Sequence, residues 1–364
     1  MSEKQDSTSI RSMGFCSSLK DDIWHDQKGR NAFESWHFDA LSDDGREALV
    51  ITFDDSYSFS SRYYRQERAS NGVAVGDGKR FPAVSFTYSV NGRVVMRAVN
   101  EFRADEFSAN REGVDCSIGQ SKFRVEAAEY GPGFVLHVDL LTSRRCQLKA
   151  ELEWLSIEAD LREPEVKAEP DSASWNMVAP RSDVSGRITV MGRNEKTEKV
   201  FHFRGTGYHD HFRSELSLRR TVGSRCWGRA HFVDSTAIFH RHQTDANTDI
   251  FSKLFLVREG SIHERDALSE TQNQARDRFG LEIPRRLSFL SDDNIRLRVK
   301  PLRVIESGFF KKSMVSEMTL MLRDGKPRKT MGLTEFIAPG RLKNPIFRWF
   351  SDLRTGRNGR SPLF

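Results

Sequence analysis

The chain has 364 residues, so it is long enough for two domains that each bury a hydrophobic core. Phenylalanine alone accounts for 26 residues, and this apolar bulk excludes a disordered chain despite the 30% charged content. The net charge is +6, but basic and acidic residues are interspersed, which argues against a dedicated nucleic-acid binder. The four cysteines, Cys16, Cys116, Cys146 and Cys226, lack CxxC spacing, so neither a zinc ribbon nor a disulfide framework is indicated.

The first half of the chain reads as β-structure after a polar N-terminal extension, residues 1–30. In residues 31–165, short runs of alternating polarity such as "EALVITF" and "FPAVSFTYSV" predict antiparallel strands. Asn91-Gly92 predicts a tight hairpin turn, and Gly131-Pro132-Gly133 predicts a second turn. From Leu161 to Ser174 a charged stretch with two prolines predicts a linker between domains.

The β pattern resumes in residues 175–340, with runs such as "GRITVMG" and "SEMTLMLRDG". The polar stretch from Leu268 to Phe279 lacks the composition of a strand and predicts a short helix or a loop instead. The sequence therefore predicts a mostly β protein with two antiparallel barrel or sandwich domains in tandem, residues 31–165 and 175–340.

Residues 341–364 form a basic tail in which six Arg or Lys accompany one Asp between Arg341 and Arg360, with aromatic residues among them. Such a segment can contact an anionic membrane surface, and the alternative is a terminal helix packed on the body. No apolar run is long enough for a spanning helix, and the first residues do not resemble a signal peptide. We expect a cytoplasmic protein that can touch the inner membrane face.

The stretch "FHFRGTGYHDHF", residues 201–212, concentrates polar residues that can carry chemistry. On a strand, Tyr208 and Asp210 share one face and His209 and His211 share the other. If the first face lines an apolar cavity, burial keeps the Asp210 carboxyl protonated, as a general acid requires. The alternative is a buried polar network that ties strands together. Two glycines just before the cluster are expected to permit a bulge or a bend.

The same stretch also permits a metal interpretation, in which His209 and His211 bind an ion with a third histidine from the next hairpin. The candidates for that third ligand are His231, His240 and His242. No cysteine ligand or HExxH motif accompanies them, so we predict neither a metal nor another cofactor.

Trp175, directly after the linker, and Trp227, on the strand after the cluster, are candidates to stabilise a developing cation with their ring faces. The alternative for each tryptophan is an ordinary place in the hydrophobic core.

Four segments resemble the carotenoid 1,2-hydratase (hydroxyneurosporene synthase) family. "GTGYHDHF" is similar to its Gly-x-Gly-Tyr-x-Asp-His-Asn-Trp-Gly signature, and "ESWHFDA" to its N-terminal Glu-Trp-Trp-Tyr-Phe-Asp-Ala motif. "CWGRAHF" resembles the Trp-x-Trp-Gly-Arg strand, and "GLTEFIAPGRLKNP" resembles the closing Gly-x-x-Glu-Tyr segment. The resemblance spans about residues 33 to 350.

The resemblance implies two lipocalin-like β-barrel domains around an apolar cavity. It also implies that an acidic residue protonates an isoprenoid double bond before water adds, without a cofactor. Carried onto this sequence, the proton donor is Asp210, its neighbour is Tyr208, and Trp175 is the third catalytic residue. The predicted substrate-binding residues are Trp227, Phe212, Arg213, His209 and His211.

The sequence departs from the family pattern beside the predicted site, where Phe212-Arg213-Ser214 replaces Asn-Trp-Gly and Cys226 replaces a tryptophan. Arg213 could suit a substrate with a carboxylate or phosphate end. The predicted function is hydration of a hydrophobic isoprenoid or carotenoid-like alkene. The alternatives are a cyclase of a polyene metabolite and a non-catalytic protein that binds terpenoids or lipids.

Overall fold

The computed structural model describes residues 13–69, 78–128, 131–142, 146–164, 173–192, 198–243, 250–323, 325–344 and 346–347. Within these ranges the chain is mostly antiparallel β-structure, organised as one large open sheet followed by one closed barrel. This architecture confirms the predicted mostly β, lipocalin-like fold class.

The first sheet contains twelve of the described strands. They are β1 (Met13–Cys16), β2 (Phe33–Ser42), β3 (Glu47–Asp54), β4 (Ala83–Val90), β5 (Arg93–Glu101), β6 (Phe107–Ala109), β7 (Asp115–Ile118), β8 (Ser121–Ala128), β9 (Gly131–Leu141), β10 (Gln147–Glu158), β11 (Ala173–Met191) and β12 (Glu198–Ser214). Their order is β5-β4-β3-β2-β12-β11-β10-β9-β8-β7-β6, and β1 pairs in parallel with β11. Strand β12 therefore lies in the middle of the sheet, between β2 and β11.

The remaining described strands close into an eight-stranded barrel with neighbours in sequence order. They are β13 (Ser224–His231), β14 (Thr236–Gln243), β15 (Ile250–Arg258), β16 (Ser261–Arg276), β17 (Glu282–Ser291), β18 (Arg296–Ser307), β19 (Lys311–Met321) and β20 (Pro327–Ile337). The helical elements are α1 (Ser61–Ala69), α2 (Leu218–Thr221) and two 3-10 helices, Ala104–Glu106 and Pro339–Lys343. Because β13 pairs with β20, the barrel leaves no unpaired edge.

The change from sheet to barrel falls between Ser214 and Ser224, later than the linker predicted from Leu161 to Ser174. Strands β11 and β12 follow that linker but pair with β10 and β2 of the first sheet. The polar, proline-containing segment therefore connects strands of one sheet, and its composition alone does not mark the boundary.

Four hydrophobic clusters lie in the described residues, and the smallest packs Leu41 and Val50 of the first sheet against Val315 and Leu333 of the barrel. Of the other three, one fills the first sheet around Phe38 and Trp154, and one fills the barrel around Phe239 and Phe289. The third contains residues of both, including Trp175 of β11 and Trp227 of β13. This shared cluster joins sheet and barrel, and the candidate site lies within it.

Several local predictions have clear outcomes. The Asn91-Gly92 turn is confirmed, because both residues have the positive φ angles, 51° and 75°, of a tight hairpin. The predicted helix or loop from Leu268 to Phe279 is wrong as far as Arg276, which ends β16. Gly131–Gly133 begin β9 instead of forming a turn, and the adjoining residues 129–130 lie outside the described residues.

The two ends of the chain have different outcomes. From Met13 onward the N-terminal extension is built into the first sheet through β1. Residues 345 and 348–364, most of the basic tail, lie outside the described residues, so the membrane contact stays a prediction. Among the described helices, none has the length and apolar character to cross a membrane.

Candidate active site

Strand β12 presents its polar residues alternately to its two sides, as the sequence predicts. Tyr208 and Phe212 belong to the cluster shared with the barrel, and Asp210 lies between them on the same face. His209 points the other way, into the first sheet, where its ring stacks on Phe38 with centroids 3.8 Å apart. This parity divides the cluster into a cavity side and a supporting side.

The register of β12 against β2 is unbroken from Gly205 to Ser214. In the pairing with β11 the register shifts twice, between Asn176 and Ala179 and between Ala179 and Ser182, and Ser182 pairs with Gly207. The glycines serve close packing, since a Cβ on Gly205 would lie 2.2 Å from the Leu41 carbonyl oxygen.

Asp210 is held in place by Trp175, the third catalytic residue that the family resemblance implies. The indole Nε1 of Trp175 donates to Asp210 Oδ2 at 2.8 Å, and both side chains are buried. Oδ2 accepts this hydrogen bond, which leaves Oδ1 available to carry a proton. Strand pairing between β11 and β12 sets this geometry, with Trp175 opposite Phe212.

Burial raises the pKa of the Asp210 carboxyl above its ordinary value, because a charged carboxylate is poorly solvated there. His37, the Trp175 hydrogen bond and Arg225 act in the opposite direction without cancelling the effect of burial. The pKa of the Tyr208 phenol is raised well above its usual range by burial and by the field of Asp210. Asp210 and Tyr208 are therefore biased toward their protonated forms.

Aromatic rings surround Asp210. The Trp227 ring lies 5.6 Å from the Tyr208 ring and 5.8 Å from the Trp175 ring, measured between centroids. The Trp227 indole donates to Glu335 Oε1 at 3.1 Å, which fixes its orientation. These ring faces can stabilise a positive charge that develops beside Asp210.

A cavity of about 100 Å³ opens beside Asp210, between the sheet and the barrel. Phe212 and Trp227 line it, as predicted for substrate-binding residues, while Tyr208 packs against Trp227. The volume is below the roughly 300–1,000 Å³ typical of pockets for drug-sized ligands, so a small substrate or one end of a longer one fits this conformation. The lining also includes Lys311 and Glu335, which differs from the apolar cavity that the resemblance implies.

The charged residues of the lining are mostly paired with one another. Lys311 Nζ lies 2.6 Å from Glu335 Oε2 and 3.9 Å from Glu306 Oε2. Glu306 in turn accepts from Arg97 of β5 at 2.5 Å, so the ion pairs join barrel and sheet. Burial opposes the charge on Lys311, but the two glutamates outweigh it and raise its pKa. The two positive charges of Lys311 and Arg97 therefore balance the two negative charges of Glu335 and Glu306.

Two further titratable groups face the cavity. Burial raises the pKa of Asp54 to about 6, against hydrogen bonds from Ser35 and Thr52. For His37, burial opposes the charged form, but the hydrogen bond to Asp39 and the field of Asp210 raise the pKa. Asp54 and His37 can therefore exchange protons with a substrate or a water in the pH range where enzymes work.

His209 and His211 lie behind the cavity, on the supporting side of β12. His209 contacts Asp22 Oδ2 and the His37 carbonyl, each at 3.0 Å from a ring nitrogen. His211 stacks on Trp36, and its Nε2 lies 3.1 Å from Glu34 Oε2. These contacts hold the strand in place, and neither histidine lines the cavity that contains Asp210.

Arg213 is also on the supporting side, so it does not face the substrate cavity as the sequence analysis expects. Its Nη1 donates to Asp21 Oδ2 at 2.6 Å. Burial opposes ionisation of Asp21, but His25 and Arg213 outweigh it and lower the pKa to about 2. The correction follows from parity, since Arg213 shares its side of β12 with His209 and His211.

One group of described residues has the donor set of a metal site. Ligand atoms of His25, Glu34 and His211 all lie within 4.8 Å of one another. However, the Arg213 Nη1 lies 3.4 Å from His25 Nδ1, where its positive charge opposes a bound cation. An ion-pair network therefore accounts for this group. The expected third ligands, His231, His240 and His242, lie on barrel strands and are not part of it.

A buried ion pair connects two of the segments that carry the family resemblance. Arg229 of "CWGRAHF" donates from Nε to Asp39 Oδ1 of "ESWHFDA" at 2.8 Å, and Nη2 donates to the same oxygen at 2.5 Å. The closing segment contributes Glu335, which binds Trp227. The distant motifs therefore meet around Asp210.

The sequence analysis missed His37, Asp54, Arg225 and Lys311 as cavity residues. A signal existed for His37, which stands at an aromatic position of the resembled motif. Lys311 and Arg225 lie on barrel strands that meet β12 only in the tertiary structure, so no local sequence pattern predicts that they line the cavity.

Comparison with known proteins agrees with this fold. No family model matches the chain. A protein of Chlorobaculum tepidum named hydroxyneurosporene dehydrogenase is 19% identical over 351 residues, covering 93% of this chain and 90% of the relative. A crystal structure of a protein of Nitrosomonas europaea assigned to AttH has a TM-score of 0.61 at 14% identity, covering 88% of this chain and 95% of that one. The structure of CghA with Sch210972 has a TM-score of 0.56 at 14% identity, covering 92% and 97%. The chain thus shares the fold of these two structures, and its resemblance to the carotenoid 1,2-hydratase-like family is confirmed along nearly its whole length.

Proposed function

We propose that the protein is a hydratase that adds water to a terminal double bond of an isoprenoid-like substrate, with Asp210 as the acid. The observation that carries the proposal is the buried Asp210 carboxyl, held by Trp175 through one oxygen and biased toward its protonated form beside a cavity. A trisubstituted alkene is a very weak base, so its protonation needs an acid in a water-poor site.

The reaction begins when Asp210 Oδ1 gives its proton to the less substituted carbon of the terminal double bond. The two electrons of the double bond form the new C–H bond, and the neighbouring carbon becomes a tertiary cation. Trp227, which lines the cavity, presents its ring to this cation, and the Tyr208 ring packs against Trp227. The Asp210 carboxylate left behind is stabilised by the Trp175 N–H and by the charges of His37 and Arg225.

Water then attacks the cation and forms the C–O bond. The extra proton of the attacking water returns to the Asp210 carboxylate, which restores the acid for the next turnover. No redox change occurs, and this scheme requires no cofactor. The relative named hydroxyneurosporene dehydrogenase supports a substrate of the isoprenoid type.

Asp210→Asn tests the proposal, because the amide can still accept the Trp175 hydrogen bond but cannot act as the acid. We would feed acyclic isoprenoids, both hydrocarbons such as neurosporene and lycopene and the carboxylate geranic acid, to cells producing the wild type or the variant and measure product masses. Asp183→Asn, at an exposed position of β11, is the matched control.

We expect a gain of one water per modified end with the wild type and the control, and its loss with Asp210→Asn. An isomeric product of unchanged mass would contradict hydration and indicate the cyclase alternative. Wild-type rates with Asp210→Asn would contradict the role of the acid.

A further inference from the structure

Arg225 is the one cation of the cavity lining, among the described residues, without a carboxylate partner. It lies on β13 two residues before Trp227, is only 7% exposed, and lines the cavity together with Asp210 and Phe212. In the part of the chain that the structure describes, its guanidinium makes no hydrogen bond and lies within ion-pair distance of no carboxylate. Its Nε is buried without any hydrogen-bond partner.

Aromatic rings are the groups in direct contact with the Arg225 guanidinium, while the Asp210 and Glu335 carboxyls act on its charge from beyond ion-pair distance. Its Cζ lies 4.8 Å from the centroid of Phe212, 5.0 Å from that of Trp175 and 6.0 Å from that of Trp227. The other lining cation behaves differently, since Lys311 contacts Glu335 at 2.6 Å. Burial without a counter-ion is costly for a guanidinium, which stays charged at any ordinary pH. Ring faces hold such a group in place but leave its donors unused.

A second observation points to the same place. His242 pairs directly with Arg225 in the register of β13 and β14, so their side chains share a face. His242 Nδ1 and His240 Nε2, on that same face of β14, are buried ring nitrogens without hydrogen-bond partners. Burial and the nearby Arg225 lower the pKa of both imidazoles, to about 4 for His242, so each is neutral and can offer an N–H. Unused polar groups of β13 and β14 therefore lie on one face next to Arg225, which itself lines the cavity.

We propose that Arg225 binds an anionic oxygen group of the substrate, a carboxylate or a phosphate, next to the Asp210 carboxyl. The planar fork of a guanidinium matches the oxygens of a carboxylate or phosphate, and the negative charge of the bound anion acts as the counter-ion of Arg225. The proposal rests on the proposed function only in naming the ligand as the substrate. It replaces the expectation that Arg213 has this role, because Arg213 is already paired with Asp21 behind the strand.

Binding of the anion also affects the acid. Arg225 is among the groups that lower the pKa of Asp210. A bound anion neutralises that charge, so the pKa of Asp210 rises and the carboxyl holds its proton more firmly until the alkene is in place. The substrate then helps to keep the acid protonated.

Binding measurements on three ligands that share one isoprenoid chain test the proposal: geranic acid, geranyl phosphate and geraniol. Isothermal titration of the full-length protein should show at least one anion binding about tenfold or more tighter than the neutral alcohol, as expected for charge-assisted hydrogen bonds. The acid and the phosphate arms distinguish the two kinds of anion.

Arg225→Gln should remove this preference, and Arg225→Lys, which keeps the charge but not the fork, should retain part of it. Arg285→Gln, at an exposed position of β17, is the matched control and should leave the preference intact. Equal binding of all three ligands to the wild type, or absence of binding, would overturn the proposal, as would a preference that survives in Arg225→Gln. Because the readout is binding, a failure of hydration with an intact anion preference would overturn the proposed reaction and not the anion site.

Discussion

The hydrogen bond from Trp175 to Asp210 gives a direct prediction about the acid. The indole N–H at 2.8 Å stabilises the charged carboxylate and thereby lowers the pKa of Asp210. A hydrogen bond to a charged group contributes about 1.5–3 kcal/mol, and about 1.4 kcal/mol corresponds to a factor of ten. Trp175→Phe removes the donor, so the acid dissociation constant of Asp210 should fall roughly tenfold to a hundredfold.

The sign follows from the state that the hydrogen bond favours. Without the N–H the carboxylate is less stable, so the pKa of Asp210 rises further above its ordinary value. The acid then stays protonated to higher pH, and the alkaline limb of the pH–rate profile should move in the same direction.

Carbon-13 NMR of protein labelled at the aspartate carboxyls would follow the titration, with Asp210 assigned by its absence from Asp210→Asn. Trp227→Phe is the control, because that indole donates to Glu335 instead. An unchanged or lower pKa of Asp210 in Trp175→Phe, or an equal rise in both variants, would refute the reasoning.

Three further predictions concern stability. Arg229→Met should lower the free energy of unfolding by about 3–5 kcal/mol, because it leaves the buried Asp39 carboxylate without its guanidinium partner and with His37 alone. Asp39→Asn in the same chain should recover part of the loss, and additive effects of the two substitutions in urea unfolding would contradict this coupling. Gly205→Ala should lower the free energy of unfolding by about 1–3 kcal/mol, since the new Cβ would lie 2.2 Å from the Leu41 carbonyl oxygen. A variant with the wild-type unfolding midpoint in urea would contradict this prediction. Burial lowers the pKa of His242 to about 4 in the folded state, so its contribution to stability is full above pH 6.5 and declines as the pH falls from 6.5 to 4. His242→Gln should remove about 3 kcal/mol of this loss of stability in acid. A variant whose stability depends on pH as the wild type's does would contradict this prediction.

Much of the site could be predicted from strand parity. The period of two separates Tyr208 and Asp210 from His209 and His211, and the structure places them on opposite sides of β12. The same rule, applied one residue further, would have removed Arg213 from the cavity. The error came from judging Arg213 by its chemistry and not by its position in the strand.

Other features depend on tertiary pairing and leave little trace in the sequence. The segment from Leu268 to Arg276 is polar and still forms a strand, because backbone pairing with β17 completes the barrel. The change from sheet to barrel after Ser214 depends on which strands pair. The proline-containing segment from Leu161 to Ser174 therefore led to a domain boundary predicted two strands too early. Lys311 enters the cavity from a strand distant in the sequence.

The central claim is that Asp210 transfers a proton to carbon before water adds. Its most direct test is mass spectrometry of the product formed by purified wild-type protein in D₂O, after exchangeable hydrogens have been washed out. The account predicts a product that has gained the elements of water and keeps one deuterium on carbon, and predicts no such product with Asp210→Asn. An isomeric product without carbon-bound deuterium would contradict protonation of the double bond.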